Sequence, residues 1–563
     1  MTWLFDLGLF ALLFFLLVFF HELGHFLMAR WMGVRVEKFS IGMGPQLVSK
    51  KWGDTDYRIA ILPLGGYVKM SGDDPTKEYS EEEKKVGFLT QPPRKKLVIV
   101  LGGPVFNLIL PIFIFSFMLS LGIPTREAVI GMIEPESAAE SAGLQVGDRV
   151  LQIDGEEVRT WDQFHSVVIE SPERELLLGI ERLNVETQGI ERLMKTVRPR
   201  LGEGMTRFRE PVELGRVGVD SHFLLPVLFL EGESSALYQA GFRKFDQITR
   251  INGLEILALD QLRAFFNARR GGELLELEFI RNGATQAQSL RIPEGRGLVI
   301  DRLGLLPIEA VVGQVTLGGA ADRAGIKEGD RLISVDGLEI RRFEDLQEGI
   351  KQKAGEPISL VWSRQGERMT AELQPEKTTI ADPLLGKDNP LAVEEIYRIG
   401  VGSMASLSSS HFYNQSWNPV VWLSYSANRT WELTSMTGEA LWKLATGQLS
   451  LRNLGSPIMI YKVAGNTYRL AGGGHHGWIQ FLTTLALLSI TLGLVNLLPI
   501  PILDGGHVVF FSLEALRGRP VSLRTMEIAS QVGLLIIFSL FALVLYNDFY
   551  RYGFFDRMFQ IFQ

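Results

Sequence analysis

The chain has 563 residues, of which 46% are hydrophobic and 21% charged, and it is long enough for several domains. A formal charge of −7 and the absence of any dense basic tract argue against nucleic-acid binding. With no cysteine there is neither a disulfide framework nor a thiolate site, so any metal must be held by His, Asp or Glu.

Residues 7–21, 97–125, 477–503 and 528–547 contain no Asp, Glu, Lys or Arg. Continued through "HELGH" to Ala29, the first run makes roughly 35 Å of helix, enough for a ~30 Å hydrocarbon core. The other three are of similar length, and together they predict four transmembrane helices. The first is read as a span and not a signal peptide. It has no basic leader, its apolar run is long, and no small-residue cleavage site precedes Arg30.

The first span, residues 1–30, carries His21, Glu22 and His25 near its end. On a helix the two histidines lie one turn apart on one face, with Glu22 about 100° round. HExxH supplies two zinc-binding nitrogens and a general base. Ionisable groups in hydrocarbon are costly, so three together need a purpose. The alternative to a zinc site is structural pairing with polar residues elsewhere in the bundle.

Residues 31–96 form a loop flanked by Arg30, Arg35 and Lys38 on one side and Arg94, Lys95 and Lys96 on the other. Short basic loops stay cytoplasmic, so this loop is expected inside and the amino terminus outside. Within it "FSIGMGPQL" and "YRIAILPLGGYVKM" read as strands at about 38–44 and 57–70, with an edge available for pairing. The second span, 97–125, then runs outward.

Residues 126–476 are expected outside. Three segments there repeat one pattern: "SAGLQVGDRVLQIDGEEV", "QAGFRKFDQITRINGLEI" and "RAGIKEGDRLISVDGLEI". Each reads as a glycine turn, a strand and an Asp-Gly or Asn-Gly hairpin turn, a pattern that resembles PDZ domains. The boundaries are placed at 126–212, 213–298 and 299–378. The middle copy reads as degenerate, because Phe245 replaces the glycine found at Gly147 and Gly329. Residues 379–395 read as a linker. They open a membrane-proximal segment, 379–476, in which "TSMTGEALWKLATG" reads as an interfacial amphipathic helix.

The third span, 477–507, ends in "NLLPIPILDGGH". Pro499 and Pro501 cannot continue a helix, so the chain is expected to open just before Asp504. Broken backbone at that depth belongs inside protein or beside a wet cavity. The alternation of spans puts Asp504 at the same depth as HELGH, and a catalytic zinc takes three protein ligands; Asp504 is the candidate for the third. Asn496 is expected to hydrogen-bond a substrate carbonyl or the metal-bound water, and His507 reads as a partner of Asp504 and not a ligand. His165, His222, His411, His475 and His476 read as surface or loop residues. Residues 508–563 hold a basic loop with Arg517, Arg519 and Arg524, the fourth span and a tail.

HELGH in a first span, paired with NxxPxPxxDGGH in a late one, resembles the site-2 proteases, zinc metalloproteases that cut within membranes. The basic loop, "GPVFN" at 103–107 and the external repeats resemble the bacterial regulator-of-sigma-E protease subgroup. The resemblance implies Zn2+ on His21, His25 and Asp504, Glu22 as catalytic base and a supporting role for Asn496. It also implies substrate binding by Gly42, Met43 and Gly44 and the adjoining hairpin. It suggests a bacterial inner-membrane location, a site near the cytoplasmic side and periplasmic or extracellular PDZ-like domains. The subgroup has two such domains, so a third copy is a departure. Implied substrates are single-pass membrane proteins such as trimmed anti-sigma factors or signal-peptide remnants.

The expected fold is therefore a polytopic α-helical membrane protein with four transmembrane helices and an external array of β-rich PDZ-like domains. Its expected activity is that of an intramembrane zinc endopeptidase in the lipid bilayer. A catalytically inactive PDZ scaffold is the main rival, and the intact HELGH and DGGH motifs argue against it. A metal transporter would need ionisable residues in spans two and four, which carry almost none.

Overall fold

Backbone groups in hydrocarbon must satisfy one another, which favours long unbroken helices. The structure is a computed structural model. It describes residues 2–551 except 75–78, 206–210, 231, 354, 365, 382–392, 406, 449–459, 462–464, 466–467 and 469–472. The chain divides into two compact units, one of residues 1–124 with 413–563 and one of residues 125–412. The longer helices of the first unit are α1 (Thr2–Trp31), α2 (Pro93–Leu121), α3 (Pro419–Ala445), α4 (Gly474–Asn496), α5 (Asp504–Arg517) and α6 (Leu523–Arg551). Of these, α1, α2, α4 and α6 are long and apolar enough to cross a membrane.

Small residues bring α1, α2 and α4 together, as is usual where lipid supplies no hydrophobic drive. A Cβ on Gly24 of α1 would collide with the Gly102 carbonyl of α2, and one on Gly493 of α4 would lie 3.0 Å from the Pro104 carbonyl. A polar bond joins the same helices. Pro111 has no N–H, so the Asn107 carbonyl one turn earlier loses its helical donor. The buried Ser489 hydroxyl of α4 donates to that carbonyl at 2.7 Å.

Three expectations for this unit need correction. The third span stops at Asn496 and not 507, and Asp504 opens a separate helix, α5. Pro499 and Pro501 enforce the break. Gly505 and Gly506 let the new helix start against the carbonyls of Leu497, Leu498 and Ile500, where any Cβ would collide. The interfacial helix is longer than "TSMTGEALWKLATG": α3 starts at Pro419 behind an Asn418 cap and packs on α2, with Ser426 3.0 Å from Ser116. The cytoplasmic strands are also longer than expected, β1 (Val36–Trp52) and β2 (Thr55–Met70).

The first half of β1 is not an edge. Ile41 faces Gly66 on one side and Ile59 on the other, while Gln46 to Trp52 pair with Thr55 to Ala60. Gly42 and Gly44, at φ +87° and +88°, turn the strand between its halves; only glycine adopts that conformation cheaply. Phe39 and Ile41 pack against Phe26, Ala29 and Ile99, which seats the hairpin on α1 and α2.

The second unit repeats one sheet three times. In each copy the strand order is second, first, third, fourth, with first strands Arg149–Ile153, Gln247–Ile251 and Arg331–Val335. Each copy has its own apolar core and the same polar clamp. A buried Asp just before the first strand takes two bonds from an Arg on the third: Arg182 to Asp148 at 2.7 and 2.7 Å, Arg281 to Asp246 at 2.7 and 2.6 Å, Arg364 to Asp330 at 2.8 and 2.7 Å. The same Arg also donates to a loop carbonyl, of Gly143, Gly241 or Gly325. The middle copy is thus fully folded. Phe245 takes φ +71° where Gly147 and Gly329 have +92° and +85°, a strain of about 1 kcal/mol or more for a non-glycine residue.

The repeat boundaries shift for one reason: the closing segment of each copy returns to pair near its start. Val219–Asp220 pairs with Met132–Ile133, Leu305 bridges Leu230, and Val401–Ser403 pairs with Val312–Val315. The boundaries at 212, 298 and 378 therefore fall too early. Of the expected linker, 382–392 lies outside the described residues, and its flanks pair as strands Glu376–Ala381 and Val393–Arg398.

Asp330→Ala is expected to destabilise the third repeat by about 2 kcal/mol, because it removes the two charge-assisted bonds from Arg364 and the bond from the Lys327 N–H. Hydrogen exchange at Arg331–Val335 and Ile358–Arg364 checks this. Unchanged protection there would show that the clamp carries no stability.

Candidate metal centre

Helix periodicity places His21 and His25 on one face of α1, with their Nε2 atoms 3.3 Å apart. The break before α5 brings Asp504 to the same point. Its Oδ2 lies 3.2 Å from His21 Nε2 and its Oδ1 3.5 Å from His25 Nε2. Among the described residues these three form the one cluster of at least three side chains able to share a metal ion. Asp504 is also the first residue of its helix, where the positive end of the dipole favours a carboxylate.

The other ring nitrogens are held by α2. His25 Nδ1 is 2.9 Å from the Ile99 carbonyl. A carbonyl only accepts, so Nδ1 carries the proton and Nε2 is the nitrogen left to bind a metal. His21 Nδ1 is 3.2 Å from the Asn107 amide. Asn107 is fully buried and its Oδ1 has no partner among the described residues. An amide's O and N are exchangeable assignments; turned over, Oδ1 accepts the His21 Nδ1 proton, and both imidazoles then face the centre with lone pairs. Gly103 makes the space, since a Cβ there would collide with His25 Nε2 and lie 2.7 Å from His21 Cε1.

Two imidazoles and a carboxylate, with no thiolate, are the donor set of an open catalytic zinc site. Glu22 is buried beside it, and a Cβ on Gly66 would lie 2.9 Å from Glu22 Cγ, so β2 passes directly against this carboxylate. The Asn496 amide nitrogen is 3.5 Å from His21 Nε2. Met43 is half exposed, and its methyl group lies over Gly65 in the same hairpin. His507 packs on Phe511, with ring centroids 6.1 Å apart.

His475 and His476 take separate partners, the Gly122 carbonyl and the Tyr413 hydroxyl. The residues missed from sequence are Asn107 and Gly103, both within "GPVFN". The signal was there: a lone amide inside an apolar span needs a bonding partner.

The model of peptidase family M50 matches residues 9–540. The chain is 29% identical over 554 residues to the regulator of sigma-E protease RseP of Salmonella typhimurium, covering 97% of this chain and 99% of that protein. It is 28% identical over 558 residues to the regulator of sigma-E protease RseP of Escherichia coli, covering 98% and 100%. To the protease RseP of Yersinia pestis it is 27% identical over 556 residues, covering 98% and 100%.

Asn107→Ala is expected to weaken metal retention by about ten- to a hundredfold, the usual cost of losing a ligand's hydrogen-bond partner. Metal content after graded chelator treatment measures it. Retention equal to the parent's would remove Asn107 from the site.

Proposed function

The chain belongs to peptidase family M50, the site-2 proteases, and is an intramembrane zinc metalloprotease of regulated intramembrane proteolysis; on that premise we propose how its residues divide the work. His21, His25 and Asp504 hold the zinc. The supporting observation is that residues from opposite ends of the chain converge at 3.2 and 3.5 Å inside the helix bundle. When bound, zinc supplies a Lewis acid that makes water nucleophilic at neutral pH. Glu22 takes the proton of the attacking water on its carboxylate and returns it to the amide nitrogen that leaves. Asn496 donates its amide N–H to the carbonyl of the scissile bond. Gly103 keeps the approach to both imidazoles clear.

Substrates are membrane-embedded proteins, and a helical substrate has to unwind before its peptide bond is accessible. Each backbone group left unsatisfied in hydrocarbon costs several kcal/mol. A strand edge next to the base would accept the unwound segment by β-addition. The Gly66–Met70 half of β2, paired on one side only among the described residues, supplies that edge: Gly66 abuts Glu22, and Gly42, Met43 and Gly44 form the bend of the same sheet. The protein works in the inner membrane. Its metal centre lies toward the cytoplasmic side and its repeats outside, as the basic residues flanking the spans direct.

The repeats are PDZ-like and bind or screen substrates. Single-pass proteins already trimmed outside, of the anti-sigma-factor type, and remnant signal peptides fit such a filter. Two of the relatives above are named regulators of sigma-E, which supports the first class.

Purified protein is expected to carry about one zinc, lost in His21→Ala, His25→Ala and Asp504→Ala. Glu22→Gln should keep zinc and fold and lose turnover, because the amide cannot take a proton. Metal analysis with a cleavage assay decides it; full zinc and activity in Asp504→Ala would remove the third ligand.

Met43→Pro takes a backbone donor from the bend. It is expected to reduce cleavage at least tenfold with zinc retained, and less for a substrate whose helix is weakened by Gly or Pro near the cut. Equal rates with and without the substitution, on both substrates, would remove the bend from substrate binding.

A further inference from the structure

His21 and His25 are held one turn apart by α1 itself, but Asp504 comes to them from a different helix. It stands on the first turn of α5, beyond a break at residues 497–503. Its place at the metal centre depends on how α5 docks. A cleft of about 340 Å3 adjoins the far end of α5, lined among others by Leu89, Phe510, Phe511, Leu523 and Met526.

A polar contact lines this cleft. Lys96, in the first turn of α2, donates to both carboxylate oxygens of Glu514 at 2.7 and 2.8 Å. Lys96 is 3% exposed and Glu514 14%. The ammonium also lies 5.0 Å above the Phe511 ring, whose edge meets Phe88, and is 3.4 Å from the Leu89 carbonyl. Glu514 is three turns along α5 from Asp504, or roughly 15 Å. Lys96 is less than one turn from Ile99, whose carbonyl orients His25. A single helix, α2, therefore holds both imidazoles and the far end of α5.

We propose that the Lys96–Glu514 pair is a positioning device that sets the rotation and depth of α5, and so places Asp504 against His21 and His25. This rests on the reading of Asp504 as the third ligand. A buried ion pair stabilises little compared with an apolar contact, and its best-attested use is to specify register. Here the register is that of a helix carrying a ligand. A Leu–Leu contact in its place has no preferred register; an ammonium held by both carboxylate oxygens has one.

The test compares Glu514→Gln, Lys96→Met, the apolar pair Lys96→Met/Glu514→Met and the reversed pair Lys96→Glu/Glu514→Lys in the intact protein. Zinc retention under chelator competition, melting by circular dichroism, and kcat and KM are measured for each. The single variants are expected to lose zinc about tenfold faster and to lose kcat with little change in KM. The reversed pair is expected to recover most of both. The apolar pair leaves no unpaired charge and stays folded, so it carries the test where a single variant unfolds; it is expected to melt like the parent and still lose zinc.

Parental zinc retention in the folded apolar pair, or in folded single variants, would overturn the proposal. Asp504→Ala separates the two readings. Zinc lost there but kept in the pair variants removes the positioning role alone, whereas zinc kept in Asp504→Ala removes the ligand assignment itself.

Discussion

The membrane unit turns on one contact: a carboxylate shared by two imidazoles, 3.2 and 3.5 Å away, inside a bundle built for hydrocarbon. Charged and polar groups are costly there unless each is matched, and peptide hydrolysis cannot do without them. The surrounding structure reads as the means of matching. Ile99 and Asn107 serve the outer nitrogens of the histidines, Ser489 takes up the carbonyl that Pro111 leaves open, and Lys96 neutralises Glu514. All but Ser489 and Glu514 belong to α2. That helix contributes none of the three clustered side chains, yet it is the template on which the candidate ligands of α1 and α5 meet.

The break at 497–503 has a matching logic. A straight third span would carry Asp504 onward in helical register, without the freedom to turn back to α1. Pro499 and Pro501 end the helix, and the paired glycines allow the next to begin in contact with the loop it has left. The new helix then presents its carboxylate from its positive end. A costly irregularity in the backbone buys a ligand position that no single helix provides.

Much of this was legible in the sequence because it rests on local rules. Four charge-free runs marked the spans, HExxH marked a shared helical face, and two prolines marked the break. What escaped was long-range. Asn107 is an ordinary amide until His21, from another helix, is beside it. Lys96 reads as a basic flank residue until α5 brings Glu514 within 2.7 Å. Ile41 reads as an edge residue until β2 folds around it on both sides. The repeats were recognised by their turns, but their closing segments share no turn signature and were assigned to the segment that follows each copy. Phe245 misled for a different reason. Its φ of +71° keeps the glycine conformation at a cost the Asp246–Arg281 clamp helps to hold, so a changed residue did not mean a changed fold.

The central claim is that two histidines from the start of the chain and one aspartate from near its end bind one zinc. Zinc K-edge X-ray absorption on the purified protein tests it most directly. The expected spectrum has two imidazoles at about 2.0–2.1 Å with the remaining donors oxygen at about 2.0–2.2 Å. A shell of three imidazoles would put His507 or another histidine in place of Asp504, and a single imidazole would break the pairing of His21 with His25; either result would contradict the account.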